Sequence, residues 1–439
     1  MSRDFSIEKF VPNLFNIGEL SFRIGVFLIS SVLPLGIIFL LFSLLISILK
    51  KKINLIKDRW NLVLLTTFGL ILFSTFKTLL EKSYSISIDD KLIIIFNAFR
   101  WLILFILFPY FQIYLTSRKQ RLILIKFFIA GGIPIIISCI LQYWFRIYGP
   151  FDFFFGLITW YNKPIISSTD GVSGLFSNQN YTGFWLSIIW PFCLTLFLKE
   201  KQSKFKKSLY FTNLIFVFYF TIMTTSRSAL LGLIISLPLI LGLKITIISL
   251  LIIILFLIII YSFNLYFRIV NPNNLLIPDT IKILFIKLSS GNLNEIGNFA
   301  RIKIWKNTIN LILRKPLMGY GAGLFPLFYL IFDNYNAQHS HNFFLQFAFE
   351  YGLPTALILL IFAIALLVSS AKKIFNSDTK NKNMLDKAWF AAALVATLSQ
   401  LIDLTFLDGK ISIIILILLS GLKCILNEPN LEKDIERTA

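Results

Sequence analysis

The sequence predicts an all-α fold: a polytopic integral membrane protein of about 12 transmembrane helices, with a large outer loop carrying short helices. Three observations predict it. The 439 residues are 57% hydrophobic with a mean hydropathy of +0.79. The apolar residues fall in blocks long enough to cross a bilayer, separated by short charged clusters. Those blocks are unbroken runs of Ile, Leu and Phe rather than the alternation of a barrel strand, and only helices or closed barrels satisfy a backbone in lipid.

The first apolar block, residues 22–49, is long for one span and short for two, with Pro34 near its middle. Further spans are expected at residues 61–77, 98–115, 122–143, 181–198, 209–224, 229–243, 245–263, 353–370, 388–401 and 411–426. Cys139, Cys193 and Cys424 lie in or beside apolar segments with no pairing or ligand spacing, and are expected to be small core residues. The opening MSRDFSIEKF lacks the basic start and immediate apolar run of a cleavable leader, so this N-terminus is expected to be the mature one.

The formal charge of +20 would point to nucleic acid in a soluble protein. Here the cations sit in short loops beside apolar runs, where they set orientation, and no nucleic acid partner is expected. KKKINLIKDR, SRKQR, KEKQSKFKK and KKIFNSDTKNKNMLDK alternate along the chain with EKSYSISIDD and DLTFLDG. Assigning the basic set to the cytoplasm places residues 152–178, the turn at 226–228 and all of 264–352 outside. Parity then favours a proline-centred helical hairpin for residues 22–49, with one long tilted helix as the alternative.

The outer segment 264–352 is too long for a connector, and such loops usually carry function. Within it Asn298 is placed to cap a helix with an apolar stripe Ile302, Trp305, Ile309 and Leu313, stopping at Lys315-Pro316. That helix should lie on the outer membrane surface or cap the bundle. Arg301 would fall in its first turn, where a cation opposes the helix dipole. It is either a solvated surface arginine or one that meets an anion together with free backbone N–H groups.

Arg227, in TTSRSALLG, stands at the outer end of two spans, against the charge bias. Either it snorkels to headgroups or it binds a ligand. Arg100, in FNAFRWLIL, is a charge in or at the edge of an apolar block and should face the bundle interior. Gly174, Asn178, Asn180 and Gly183, in DGVSGLFSNQNYTGFW, predict close backbone approach at the outer lip, with a plain helix cap as the alternative reading of one Asn.

The only two histidines, His339 and His341, stand together in a polar loop between a glycine-rich turn and an amphipathic segment. Three readings are open: metal ligands, for which no acidic or cysteine partner has the spacing; structural histidines; or a general base able to take a proton from a hydroxyl near neutral pH. Arginines on the same face would then serve a phosphate or diphosphate leaving group. No GxxxxGKS-type phosphate cradle is present, and the spans are nearly charge-free, which argues against an anion transporter with charges along its full depth.

At these residues the chain resembles the O-antigen ligase and O-antigen polymerase family of bacterial envelope glycosyltransferases. The resemblance lies in GLFSNQNYTG, TTSRSALLG, the R-x-x-x-W followed by KPLMGYGAGLF, and above all HSHNFFLQFAFEYGLP, all within residues 170–360. It implies a multi-pass inner-membrane enzyme whose loop 264–352 and active site face the periplasm. It also implies a metal-independent, cofactor-free, inverting transfer of a glycan from a polyprenyl diphosphate carrier to lipid A–core or another glycan. On the family pattern His341 falls on the general base, and Arg227 and Arg301 on the residues holding the diphosphate. His339, Asn342, Asn178, Asn180, Arg100 and Gln346 are the expected substrate-binding set. The H-x-H-N-x-x-L-Q form resembles a ligase more than a polymerase.

Overall fold

The structure, a computed structural model, describes residues 7–50, 57–81, 87–167, 170–249, 251, 255, 295–376 and 384–428, with side chains of 7–13 and 295–300 excepted. The expected span 245–263 and the first part of the outer loop, 264–294, lie almost wholly outside the described residues.

The chain is a bundle of helices. α1 (Ile7–Leu28) and α2 (Leu33–Lys50) are separate helices, broken just before Pro34 rather than centred on it. They run antiparallel: Gly18 lies against Ile46, Ser21 Oγ donates to Phe39 O, and Gly25 meets Leu40 and the carbonyl of Gly36. A Cβ on Gly36 would sit 2.9 Å from the Ile29 Cα, so glycine permits the two backbones to touch. A helical hairpin is present, but it covers residues 7–50 with its turn at 29–32, not the proline-centred hairpin expected within residues 22–49, and of its two helices only α2 is long and apolar enough to cross a membrane.

Then come α3 (Arg59–Leu80), α4 (Ile88–Phe111), α5 (Arg118–Tyr143), α6 (Gln179–Lys199), α7 (Lys204–Met223) and α8 (Arg227–Leu241). Local chemistry sets their starts. Asp58, Ser87, Ser117, Asn178 and Ser203 each accept a first-turn N–H, and Ser87 and Ser117 form reciprocal boxes with Asp90 and Gln120. A two-stranded hairpin, β1 (Phe151–Phe153) and β2 (Ile158–Trp160), lies between α5 and α6, with Trp160 Nε1 donating to Ser31 O at the tip of the α1–α2 hairpin. The later helices are α9 (Glu295–Arg314), α10 (Phe325–Asp333), α11 (Phe343–Tyr351), α12 (Leu353–Phe375), α13 (Met384–Ser399) and α14 (Gly409–Asn427).

Seven segments among the described residues are long and apolar enough to cross a membrane: Leu33–Lys50, Arg59–Leu80, Ile88–Tyr114, Arg118–Tyr143, Gln179–Lys199, Leu353–Phe375 and Gly409–Asn427. α8 and α13 are shorter, while α1 carries the Glu19–Arg23 pair and α7 opens with Lys204, Lys206 and Lys207. The protein is an all-α polytopic membrane protein. Cys139, Cys193 and Cys424 are free and buried, as expected of core residues.

One end of the bundle gathers the basic loops. Arg121, wholly buried, donates to Leu115 O, Thr116 O, Asp386 and Glu428, tying α5 to α13 and α14. Lys423 meets Asp58 at 3.0 Å, and Lys373 donates to Leu426 O, on the same end. Such pairing offsets the cost of burying these charges.

The opposite end is closed by the segment between α9 and α12. Tyr320 N–H donates to Phe349 O, Gly321 N–H to Glu350 O and Leu353 N–H to Pro316 O. Gly319 and Gly352 hold φ of +69° and +88°, and a Cβ on Gly352 would lie 2.1 Å from Leu317 O. Lys315 clamps the turn to Glu81 at the end of α3, 2.6 Å away.

α9 corrects the sequence in three respects. It starts at Glu295, so Asn298 lies inside the helix and does not cap it. Arg301 is therefore past the first turn and away from the free N–H groups. The face packed into the protein is Ile304, Thr308, Leu311 and Ile312, while Ile302, Ile309 and Leu313 are exposed. A helix lying between protein and membrane has two apolar faces, and hydrophobic spacing alone selects either.

Candidate active site

His341 is held by a turn, a cap and a distant carboxylate. Its backbone is left-handed, φ +55°, a conformation that His tolerates better than most side chains. The turn brings His341 N–H to His339 Nδ1 at 3.2 Å and sets the two rings 4.2 Å apart. Asn342 then caps α11, accepting from Leu345 N–H, while its amide donates to Leu401 O at 2.8 Å. Ser340 is anchored from both sides: its N–H donates to Gln346 Oε1 and its carbonyl accepts from Trp305 Nε1, each at 2.9 Å.

The segment between α13 and α14 completes the arrangement. Phe343 N–H donates to Gln400 O, drawing the two loops together. Asp403, 5% exposed, then lies with Oδ1 3.3 Å from His341 Nδ1. A carboxylate only accepts, so Nδ1 carries the proton and Nε2 keeps its lone pair. The His341 side chain is 31% exposed, open enough to be reached.

Arg301 comes to the same place from α9, its Nη1 donating to Ile402 O at 3.4 Å, beside Asp403. His339 is kept neutral: burial, then the neighbouring His341, push its pKa down to about 4, with Arg301 adding to the effect and Asp403 opposing it. A neutral His339 is what can accept the His341 N–H.

The lip at residues 170–183 lies next to this cluster. Asn178 is the α6 cap, accepting from Asn180 N–H at 2.8 Å, and Tyr181 is within electrostatic range of Asp403 and Asp408. Gly183 packs against the side chains of Ser226, Thr224 and Ala229, and Gln179 donates to Thr225, so the starts of α6 and α8 sit together. Arg227 is exposed at the first position of α8, on that same end.

Arg100 and Gln346 lie one layer in from the histidines. Arg100 Nη2 donates to Phe406 O at 2.8 Å, and both ends of the Gln346 amide are engaged, with Ser340 and with Glu350. Thus His339, His341, Arg301 and Asn342 converge; Arg100 and Gln346 stand behind them; Asn178, Asn180 and Arg227 rim the same end. Asp403 and Glu350 had no role assigned from the sequence. DLTFLDG reads there only as an acidic outer loop, and no spacing rule links it to the histidines.

Residues 212–361 match the family model described as O-antigen ligase. The chain carries an O-antigen ligase family region. That region contains Arg227, Arg301, His339, His341, Asn342 and Gln346, whereas Arg100, Asn178, Asn180 and Asp403 lie outside it. A search of curated proteins finds no match. The family match and the membrane helices together support a multi-pass bacterial inner-membrane enzyme of the O-antigen ligase or polymerase kind, with lipid-linked glycan and acceptor substrates.

Proposed function

We propose that the protein is an O-antigen ligase-like glycosyltransferase, moving a glycan from a polyprenyl diphosphate carrier to an acceptor hydroxyl, such as one on lipid A–core. The observation that carries the reading is the His341–Asp403 pair with Arg301 beside it, His341 and Arg301 lying within the family-matched region and Asp403 outside it. His341 Nε2 takes the proton of the acceptor hydroxyl as its oxygen attacks the anomeric carbon. The bond to the carrier breaks with inversion, and the polyprenyl diphosphate leaves with the electron pair. Asp403 holds the ring in the required tautomer and steadies the imidazolium that forms.

Arg301 and Arg227 are assigned to the departing diphosphate, where planar guanidinium forks suit phosphate oxygens. Asn178, Asn180, Asn342 and His339 are assigned to the sugar and acceptor around that point. The chemistry uses no metal and no cofactor. The basic loops gathered at the opposite end support a periplasmic position for this site.

Purified protein, a polyprenyl diphosphate-linked oligosaccharide and either lipid A–core or a second lipid-linked glycan test the assignment. Product on lipid A–core establishes a ligase, and longer lipid-linked chains alone establish the polymerase. No product with either acceptor would contradict the transferase reading.

A further inference from the structure

The two loops that bring His341 to Asp403 are each held by a charged side chain, Glu350 on one side and the half-buried Arg100 on the other. In the histidine loop, Ser340 N–H donates to Gln346 Oε1, and Gln346 Nε2 donates to Glu350 Oε1, each at 2.9 Å. Glu350 also accepts from Gly323 N–H at 3.3 Å. In the other loop, Arg100 Nη2 donates to Phe406 O, a contact spanning 306 positions, and Trp101 stacks on the Phe406 ring at 5.2 Å. Arg100 and Glu350 attract each other across the gap.

The gap itself decides between two roles. Arg100, Gln346, Glu350 and Phe406 line a cavity of about 20 Å³, room for roughly one water molecule. A sugar or a diphosphate does not fit there. A buried carboxylate is costly unless its oxygens are hydrogen-bonded and its charge is compensated. Burial raises the Glu350 pKa, with Gln346, Gly323 and Arg100 opposing.

We propose that Arg100 and Glu350 are positioning residues: Glu350, through Gln346, fixes the His339–His341 turn, and Arg100 fixes the loop carrying Asp403. The spacing of His341 and Asp403 is thereby set from the two sides of one small cavity. The catalytic meaning of that spacing rests on the reading of His341 as the base.

The test exchanges the roles of two side chains in the full-length protein in lipid bilayers. Gln346→Glu alone sets a second carboxylate against Glu350. Adding Glu350→Gln lets the new amide donate to the new carboxylate, which still accepts from Ser340 N–H, and keeps one negative charge near Arg100. Two readouts are taken: kcat and KM for the lipid-linked donor, and the ring nitrogen signals of labelled histidine in solid-state NMR, assigned with His339→Gln.

Gln346→Glu should lower kcat on the order of 10²-fold, the cost of about 1 Å of misplacement, with KM little changed. The His341 Nδ1–H signal should shift. The double variant should restore both. Arg100→Lys, which keeps charge but loses the fork, should lower kcat in the same way. An unmoved His341 signal in Gln346→Glu, a loss confined to KM, or a double variant no better than the single overturns the proposal. The ring signal reports position without transfer, so its displacement supports the proposal even if His341→Ala shows that the base is another group.

Discussion

His341 Nδ1 and Asp403 Oδ1 lie 3.3 Å apart across 62 positions of sequence, one in the turn before α11 and the other in the loop before α14. The carboxylate fixes the proton on Nδ1 and leaves Nε2 as the acceptor of the neutral ring. Asp403→Asn keeps the shape and removes the charge that steadies the imidazolium. It should lower kcat on the order of 10²–10⁴-fold. Initial rates at saturating donor check this, and an unchanged kcat would remove Asp403 from the chemistry.

Arg301 reaches the site from the side of α9, past the first turn of the helix. Its contribution is the guanidinium itself, not a helix N-terminus. Arg301→Lys should therefore reduce kcat/KM by about 10–100-fold, the worth of a charged hydrogen bond of roughly 1.5–3 kcal/mol. Wild-type kcat/KM in that variant would show that a point charge suffices.

His339 predicts a pH dependence of stability. Its folded pKa of about 4 lies below the ordinary histidine value of 6.5. Between these values the unfolded chain binds a proton that the folded chain does not, so stability falls as pH drops from 6.5 towards 4 and is flat in this respect above 6.5. His339→Gln should reduce that slope, as read by melting temperature against pH. An identical slope in the variant would mean that other groups carry it.

Gly352 joins α11 to α12 at φ +88°, with the Leu317 carbonyl 2.1 Å from where a Cβ would stand. Gly352→Ala should destabilise the protein by about 1–3 kcal/mol from backbone strain alone, with the clash added. Thermal unfolding in detergent, followed by tryptophan fluorescence, checks it; a wild-type melting temperature would contradict the packing of residues 316–321 on α11.

Much of this architecture is legible in the residues. The blocks of Ile, Leu and Phe mark the spans, Ser117 and Asn178 mark helix starts, and the basic loops gather at one end, as Arg121 and Lys423 show. His341 is conspicuous because the chain has only two histidines, side by side in one polar loop, and Arg227 because it runs against the charge bias. Asp403 is not legible: its contact is tertiary, and an acidic outer loop looks the same with or without a histidine against it. Arg100 reads only as a cation facing the bundle interior, because sequence shows an interior charge without its surroundings, and Glu350 stands on another helix. α9 was misjudged at its start and on its packed face. The helix starts at Glu295, ahead of Asn298 and in spite of Gly297, and Ile302, Ile309 and Leu313 form the second of two apolar faces.

The most direct test of the central claim is the rate of glycan transfer by His341→Ala, measured against wild type at saturating donor and acceptor in bilayers of equal protein content. The account predicts a loss on the order of 10²–10⁴-fold, the contribution of a positioned general base, with membrane insertion and binding of the lipid-linked donor retained. Transfer at the wild-type rate would contradict it.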